Sequence, residues 1–215
     1  VHDINRTGSM LDNIIYHFVR LDRDWFEPNL LAELLEQASD SVSLQGDSIV
    51  FKFLIVQLRL TPLPVYLEAA SDRHKEIAVI NLGYCIRNNT AANIFNKDLD
   101  ARNYGVSRYR KVYLFDYDAL EPLGEVKIRS NQDRFDGEED IPDWYFEEGV
   151  VFLPEEMEAG LCIPNRHLRR LFREVHGELL TTAYWERIQR EIQDGKVPPV
   201  SVYPDERRLR RTEPA

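Results

Sequence analysis

Residues 93–120 read NIFNKDLDARNYGVSRYRKVYLFDYDAL, and the spacing of their polar side chains decides how the rest of the chain is understood. Asp98 is followed five positions later by Asn103. Two short β-prone runs, 104–108 and 111–115, then read as the arms of a hairpin. The second arm ends on the triplet Asp116-Tyr117-Asp118. A loop aspartate and a strand-end aspartate, with an asparagine between them, suit the transfer of a phosphoryl group. That chemistry needs positioning and charge neutralisation more than covalent help. One carboxylate, Asp98, orients an attacking hydroxyl and accepts its proton. Asn103 and Asp116 supply the hard oxygen donors that Mg2+ on ATP phosphates prefers.

The same order of residues marks the catalytic and metal-binding loops of protein kinases, where an Asp-x4-Asn loop precedes a hairpin ending in Asp-Phe-Gly. Here the pair before the catalytic aspartate is Asn96-Lys97 rather than His-Arg, and Asp118 stands in place of the glycine. An Asp-x4-Asn pair alone is common, and solvated loop carboxylates at chance spacing are the competing reading. A long helix before it and an apolar strand ending in Asp after it make the pattern more specific. The apolar run 112–115 before Asp-x-Asp also resembles the first motif of haloacid-dehalogenase-type phosphatases. Those carry Thr or Val two residues after the second Asp, where this chain has Leu120. They also need a parallel βαβ sheet, which the element order does not offer.

Working outward, residues 13–21 are rich in β-branched and aromatic side chains and predict a strand. Pro28 opens a helix with Leu30, Leu31, Leu34, Leu35 and Ala38 on one stripe. A turn at 45–47 leads into a long buried strand over 49–60, ended by Thr61-Pro62. A short helix at 64–70 follows, then a longer one capped by Ser71-Asp72 and running to about Asn89. Residues 93–103 read as irregular, 125–129 as a further strand, and 131–148 as an acidic, aromatic loop. The remainder reads as helices over 154–160, 165–180 and 182–194, the last closed by Gly195. Leu168, Leu171, Phe172 and Val175 form the apolar face of one, and Tyr184, Trp185, Ile188 and Ile192 that of the next. This order is α+β with a mainly helical lobe, not alternating βαβ. It divides into a partial sheet-bearing lobe, 1–60, and a helical lobe with the catalytic loop, 61–215.

Composition narrows the partners. With 43% hydrophobic and 11% aromatic residues in 215, the chain has material for a sizeable core. A formal charge of −10 argues against nucleic acid and suits partners that are proteins or metal-bound small molecules. Cys85 and Cys162 have no ligand-like spacing and are expected as two buried thiols in a reducing cytoplasm. No apolar run reaches the roughly 20 residues of a membrane helix. The longest, 49–60, is broken by Lys52, Gln57 and Arg59. Residues 1–10 are polar, with no apolar signal-peptide core, and the chain opens on Val1 rather than Met. His17, His74 and His167 are dispersed, and His176 lies within a predicted helix, where a structural role is expected. The acidic stretch 133–143 is either a solvated loop or a docking element, and Arg207, Arg208, Arg210 and Arg211 give the tail a surface or interdomain role.

Longer stretches carry a sharper resemblance: LTPLPVYLE (60–68), AANIFNKD (91–98), NYGVSRYRKVYLFDYD (103–118), PEEMEAGLC (154–162) and LFREVHGELLTTAYWERIQREIQDGKV (171–197). Over nearly its whole length the chain resembles the C-terminal part of the bacterial isocitrate dehydrogenase kinase/phosphatase family. Tyr-Asp after the metal aspartate is typical of that family and unusual among kinases. The resemblance implies a protein-kinase-like fold and a bifunctional enzyme that phosphorylates and dephosphorylates a serine of isocitrate dehydrogenase at one shared site. It implies ATP, Mg2+ or Mn2+, and a cytoplasmic setting at the branch between the citric acid cycle and the glyoxylate bypass. By position, Asp98 takes the catalytic place, Asn103 and Asp116 the metal places, and Asp118 an extra carboxylate tied to the phosphatase direction. Gln57, Leu58 and Arg59 fall where such enzymes have the hinge that contacts adenine.

The chain departs from the family at Asn96-Lys97, where Pro-Gly is usual, and at Asp100-Ala101-Arg102, where Leu-Phe-Lys is usual. The resemblance also places a regulatory domain, a Gly-rich phosphate loop and an ATP-binding lysine ahead of Val1. The upstream half of its own enzyme is therefore an expected partner, and the isolated chain is expected to be inactive. The alternative is a non-catalytic kinase-like module that binds isocitrate dehydrogenase or a regulator.

Overall fold

Two clusters of apolar side chains organise the chain, one in residues 12–58 and one in a larger unit built from the stretches on either side. The computed structural model describes residues 9–130, 148–196 and 198.

In the smaller unit, β1 (Asn13–Asp22), α1 (Pro28–Gln37), β2 (Val42–Gln45) and β3 (Ser48–Gln57) form an antiparallel sheet of order β1-β3-β2 with one helix. Gly46, at φ 60°, supplies the left-handed residue of the two-residue turn joining β2 to β3. Leu31 on the α1 stripe is buried with Val42, Ile49 and Phe51, and Phe26 stacks on Phe51 at 6.0 Å. The long buried strand expected over 49–60 differs in two respects. It stops at Gln57, and only Ile49, Val50 and Phe51 are buried, whereas Phe53, Ile55 and Val56 are exposed. For Phe53 and Ile55, which share a face with Ile49 and Phe51, length explains the exposure. A ten-residue helix covers about 15 Å, and the ten-residue strands beneath it run about 33 Å.

The larger unit continues through β4 (Leu60–Pro62), α2 (Leu63–Ala69) and α3 (Asp72–Ala91). Then come β5 (Ile94–Asn96), β6 (Tyr104–Ser107), β7 (Val112–Leu114), β8 (Leu120–Pro122) and β9 (Lys127–Ile128). Beyond residue 147 lie β10 (Val151–Phe152), α4 (Met157–Gly160), α5 (Arg166–His176) and α6 (Thr182–Gln193). One sheet has the order β4-β6-β7, all antiparallel. Ser9 to Leu11, within the 1–60 stretch of the sequence division, runs parallel to β7: Leu114 N–H donates to Ser9 O and Leu11 N–H to Leu114 O. Elsewhere β5 pairs with β8 and β9 with β10.

Helix α3 is the spine of this unit. Ala78, Val79, Leu82, Cys85 and Ile86 recur at helical spacing and are buried, so the helix presents a continuous apolar face. Trp185 of α6 closes the core with its ring edge-on to Phe95 and Phe152, at 5.9 and 4.7 Å, and its indole N–H donates to Leu179 O.

Other expectations sort by burial. His176 is structural: its ring is fully buried, Nε2 bonds the Ile80 carbonyl at 2.9 Å, and Tyr84 and Phe172 pack on it. Val175, expected on that apolar face, is exposed. Cys85 is buried and burial pushes its thiol up to about 12, but Cys162 is exposed, so the expectation of two buried thiols fails there. Residues 131–147, where a loop is expected, and the arginines of the tail lie outside the described residues. Among the described residues, no helix is long and apolar enough to cross a membrane.

Candidate active site

The C-terminus of α3 leads through a left-handed residue, Asn93 at φ 63°, into β5 and the loop before Asn103. Two backbone bonds then close two loops against one another. At one end the Phe115 amide donates to the Asn103 carbonyl at 3.1 Å. At the other the Lys97 amide donates to the Ala119 carbonyl at 2.9 Å, in line with the β5–β8 ladder. The loop carrying Asp98 and the loop carrying Asp116 and Asp118 are thus held side by side by the strands that flank them.

Asn103 ties the arrangement together. Its buried side chain donates through Nδ2 to the Asp98 carbonyl at 2.9 Å, while its backbone carbonyl receives Phe115. The Asp98 carboxylate is exposed, and its amide donates to Asn96 Oδ1 at 3.1 Å. Asp116 is half-buried and accepts the Asp118 amide through Oδ1 at 3.2 Å, which curls the triplet into a short turn. Between them the Tyr117 phenol donates to the Leu11 carbonyl, so the turn is anchored to the 9–11 strand.

Charge within the catalytic loop is arranged locally. Partial burial raises the Asp100 carboxyl, but hydrogen bonds from the Arg102 side chain (3.0 Å) and amide (2.7 Å), with the guanidinium charge, hold it below its ordinary value. Arg102 is held more firmly protonated by that hydrogen bond and charge, with a smaller contribution from Asp98. Lys97 pairs with Glu121 at 2.9 Å, an ion pair half open to water and worth at most about 1 kcal/mol. Sequence reasoning missed Asn96, Asp100 and Arg102 as a loop scaffold. The available signal was an Asn or Asp two positions before the residue it caps, as in Asn96–Asp98 and Asp100–Arg102.

Asp98, Asn103, Asp116 and Asp118 are therefore gathered in the larger unit. Gln57 ends β3, and Leu58 and Arg59 form the exposed link to β4. Among the described residues, no group of three or more His, Cys, Asp and Glu side chains is placed to hold a metal ion. Asn103 and Asp116 fit a weaker demand. With Nδ2 committed to Asp98, Asn103 keeps an amide oxygen and Asp116 a carboxylate, both of the hard-donor type that Mg2+ accepts.

Residues 1–205 match the profile of the isocitrate dehydrogenase kinase/phosphatase (AceK) kinase domain. The isocitrate dehydrogenase kinase/phosphatase of Rhodopseudomonas palustris (strain HaA2) is 57% identical over 211 residues, which is 98% of this chain and 34% of that protein. The protein of the same name from Yersinia pestis (strain Pestoides F) is 35% identical over 205 residues, 94% of this chain and 36% of its own length. The chain spans about a third of the length of these curated relatives. It belongs to the isocitrate dehydrogenase kinase/phosphatase family, through that family's kinase domain.

Proposed function

We propose that the chain carries the phosphoryl-transfer centre of a bifunctional enzyme that phosphorylates and dephosphorylates a serine of isocitrate dehydrogenase, on a protein-kinase-like lobe. The observation that carries this reading is the double use of Asn103, bonded to the Asp98 carbonyl through its side chain and to Phe115 through its backbone. That link sets a candidate base and a candidate metal ligand in one loop cluster.

In the forward direction Asp98 orients the serine hydroxyl and takes its proton as the serine oxygen bonds to the γ-phosphorus of ATP and the bond to ADP breaks. Asn103 and Asp116 would hold Mg2+ or Mn2+, which when bound neutralises charge on the phosphate oxygens. In dephosphorylation Asp118, on the same short turn, orients a water whose oxygen bonds to phosphorus as the bond to the serine oxygen breaks, and the serine leaves with a proton returned by Asp98. Gln57, Leu58 and Arg59 are proposed to contact adenine. The division at residue 60 into a sheet-bearing and a helical lobe belongs to the same proposal. So do the cytoplasmic setting and the control of flux into the glyoxylate bypass. The net charge of −10 supports a protein partner over nucleic acid.

The test is made in the full-length enzyme, following phosphate transfer to and from isocitrate dehydrogenase. Asp116→Ala is expected to lower both activities by on the order of a hundredfold or more. Asp118→Ala is expected to lower the phosphatase more than the kinase. Retention of either activity by Asp116→Ala would overturn the shared site.

A further inference from the structure

Beneath the catalytic loop lies a cavity of about 10 Å3, lined by Asn89 and Thr90 of α3, Asn96 of β5 and Tyr104 of β6 among apolar side chains. Two of its lining residues carry buried polar atoms with unused hydrogen-bonding capacity, Asn89 Oδ1 and Asn96 Nδ2. Asn89 and Asn96 are 5% and 6% exposed, so bulk water does not satisfy these atoms. Their orientations are set by what the other end of each amide does. Asn89 Nδ2 donates to the Cys85 sulfur at 3.9 Å, which leaves its oxygen as an acceptor. Asn96 Oδ1 accepts the Asp98 amide at 3.1 Å, which leaves its nitrogen as a donor. One acceptor and one donor thus belong to residues lining a space of about one water molecule, which is the size and polarity that a buried water requires. The buried Tyr104 phenol stands beside the Asn96 side chain and draws on one of its two N–H groups, as a third polar wall that leaves the other N–H for the cavity. The Thr90 hydroxyl is committed to the Ile86 carbonyl at 2.8 Å.

We propose that this cavity binds a single water that accepts from Asn96 Nδ2 and donates to Asn89 Oδ1. The water joins the last turns of α3 to the entrance of the catalytic loop. It holds the Asn96 amide in the orientation that caps Asp98, so Asn96 and Asn89 are positioning residues for Asp98. Their importance to catalysis rests on the function proposed above; the water site does not.

The test is solution NMR of the chain. In the wild type, the Asn96 side-chain amide protons are expected to show a direct cross-relaxation peak to a long-lived water. Asn89→Leu, nearly isosteric but without an acceptor, is expected to abolish that peak and to speed exchange of the Asp98 amide about tenfold, the value of one lost hydrogen bond. Asn89→Asp, which keeps an oxygen in place, is expected to restore both. Absence of the water peak in the wild type would overturn the proposal without needing any variant. So would a peak, or an Asp98 exchange rate, that Asn89→Leu leaves unchanged. None of these readings involves phosphate transfer, so their failure is distinct from failure of the kinase/phosphatase reading.

Discussion

At Gly83 the α3 backbone passes so close to the His176 imidazole that a Cβ would overlap ring atoms Cγ, Cδ2 and Nε2. The ring has nowhere to go, because Tyr84 and Phe172 pack on it and Nε2 bonds the Ile80 carbonyl. Gly83→Ala is expected to destabilise the larger unit by about 1–3 kcal/mol or more, read as a lowered urea midpoint. His176 makes a second prediction. Burial drives its pKa down to about 4 from 6.5, with the Arg87 charge adding to this and the Ile80 bond opposing it. The folded form therefore refuses a proton that the unfolded chain accepts. Stability from this group is complete above pH 6.5 and is lost as pH falls toward 4, by up to about 3 kcal/mol. Urea unfolding across that range should show the loss in the wild type and a flatter profile in His176→Gln. At this scale the sequence was informative where spacing alone carries meaning. The order Asp98, Asn103, Asp116 is visible because five residues and one hairpin separate them. Asn89 could not, because its relation to Asn96 depends on a helix and a strand meeting in space.

Among elements, β1 is the one whose surroundings matter most. It lies at the edge of its sheet within its unit, and Ile14, Ile15, Tyr16 and Phe18 on it are all at least 45% exposed. Opposite Ile15, Ile55 of β3 is equally open. An apolar edge with unpaired backbone groups invites pairing with another chain. The purified chain is expected to self-associate as concentration rises, by sedimentation or light scattering. Ile15→Lys is expected to shift it toward monomer while changing stability by no more than about 0.5 kcal/mol. The run 49–60 looked buried because an uninterrupted apolar strand reads the same whether or not anything covers it. What decides is the reach of α1, a property of another element. The β5–β8 ladder went unforeseen for a different reason: three residues are too few to show a period of two. The 104–115 hairpin was legible because its alternation and turn residues lie within one short stretch.

On the scale of the whole molecule, the order of the larger sheet has a topological meaning. β4 is antiparallel to β6 and β6 to β7, so β4 runs parallel to β7, as does the Ser9–Leu11 strand on the other side. Leu11 and Leu60 therefore belong to parallel strands at opposite edges, three strand spacings or roughly 14 Å apart. Parallel strands cannot be joined by a tight turn and require a crossover of a dozen residues or more. The 12–58 unit lies in the chain between those two strands, so their connection is a small domain rather than a single helix. A single helical connection would meet the same geometric demand. The sheet that anchors Tyr117, and with it the Asp116–Asp118 turn, is thus separable in design from the domain inserted in that connection.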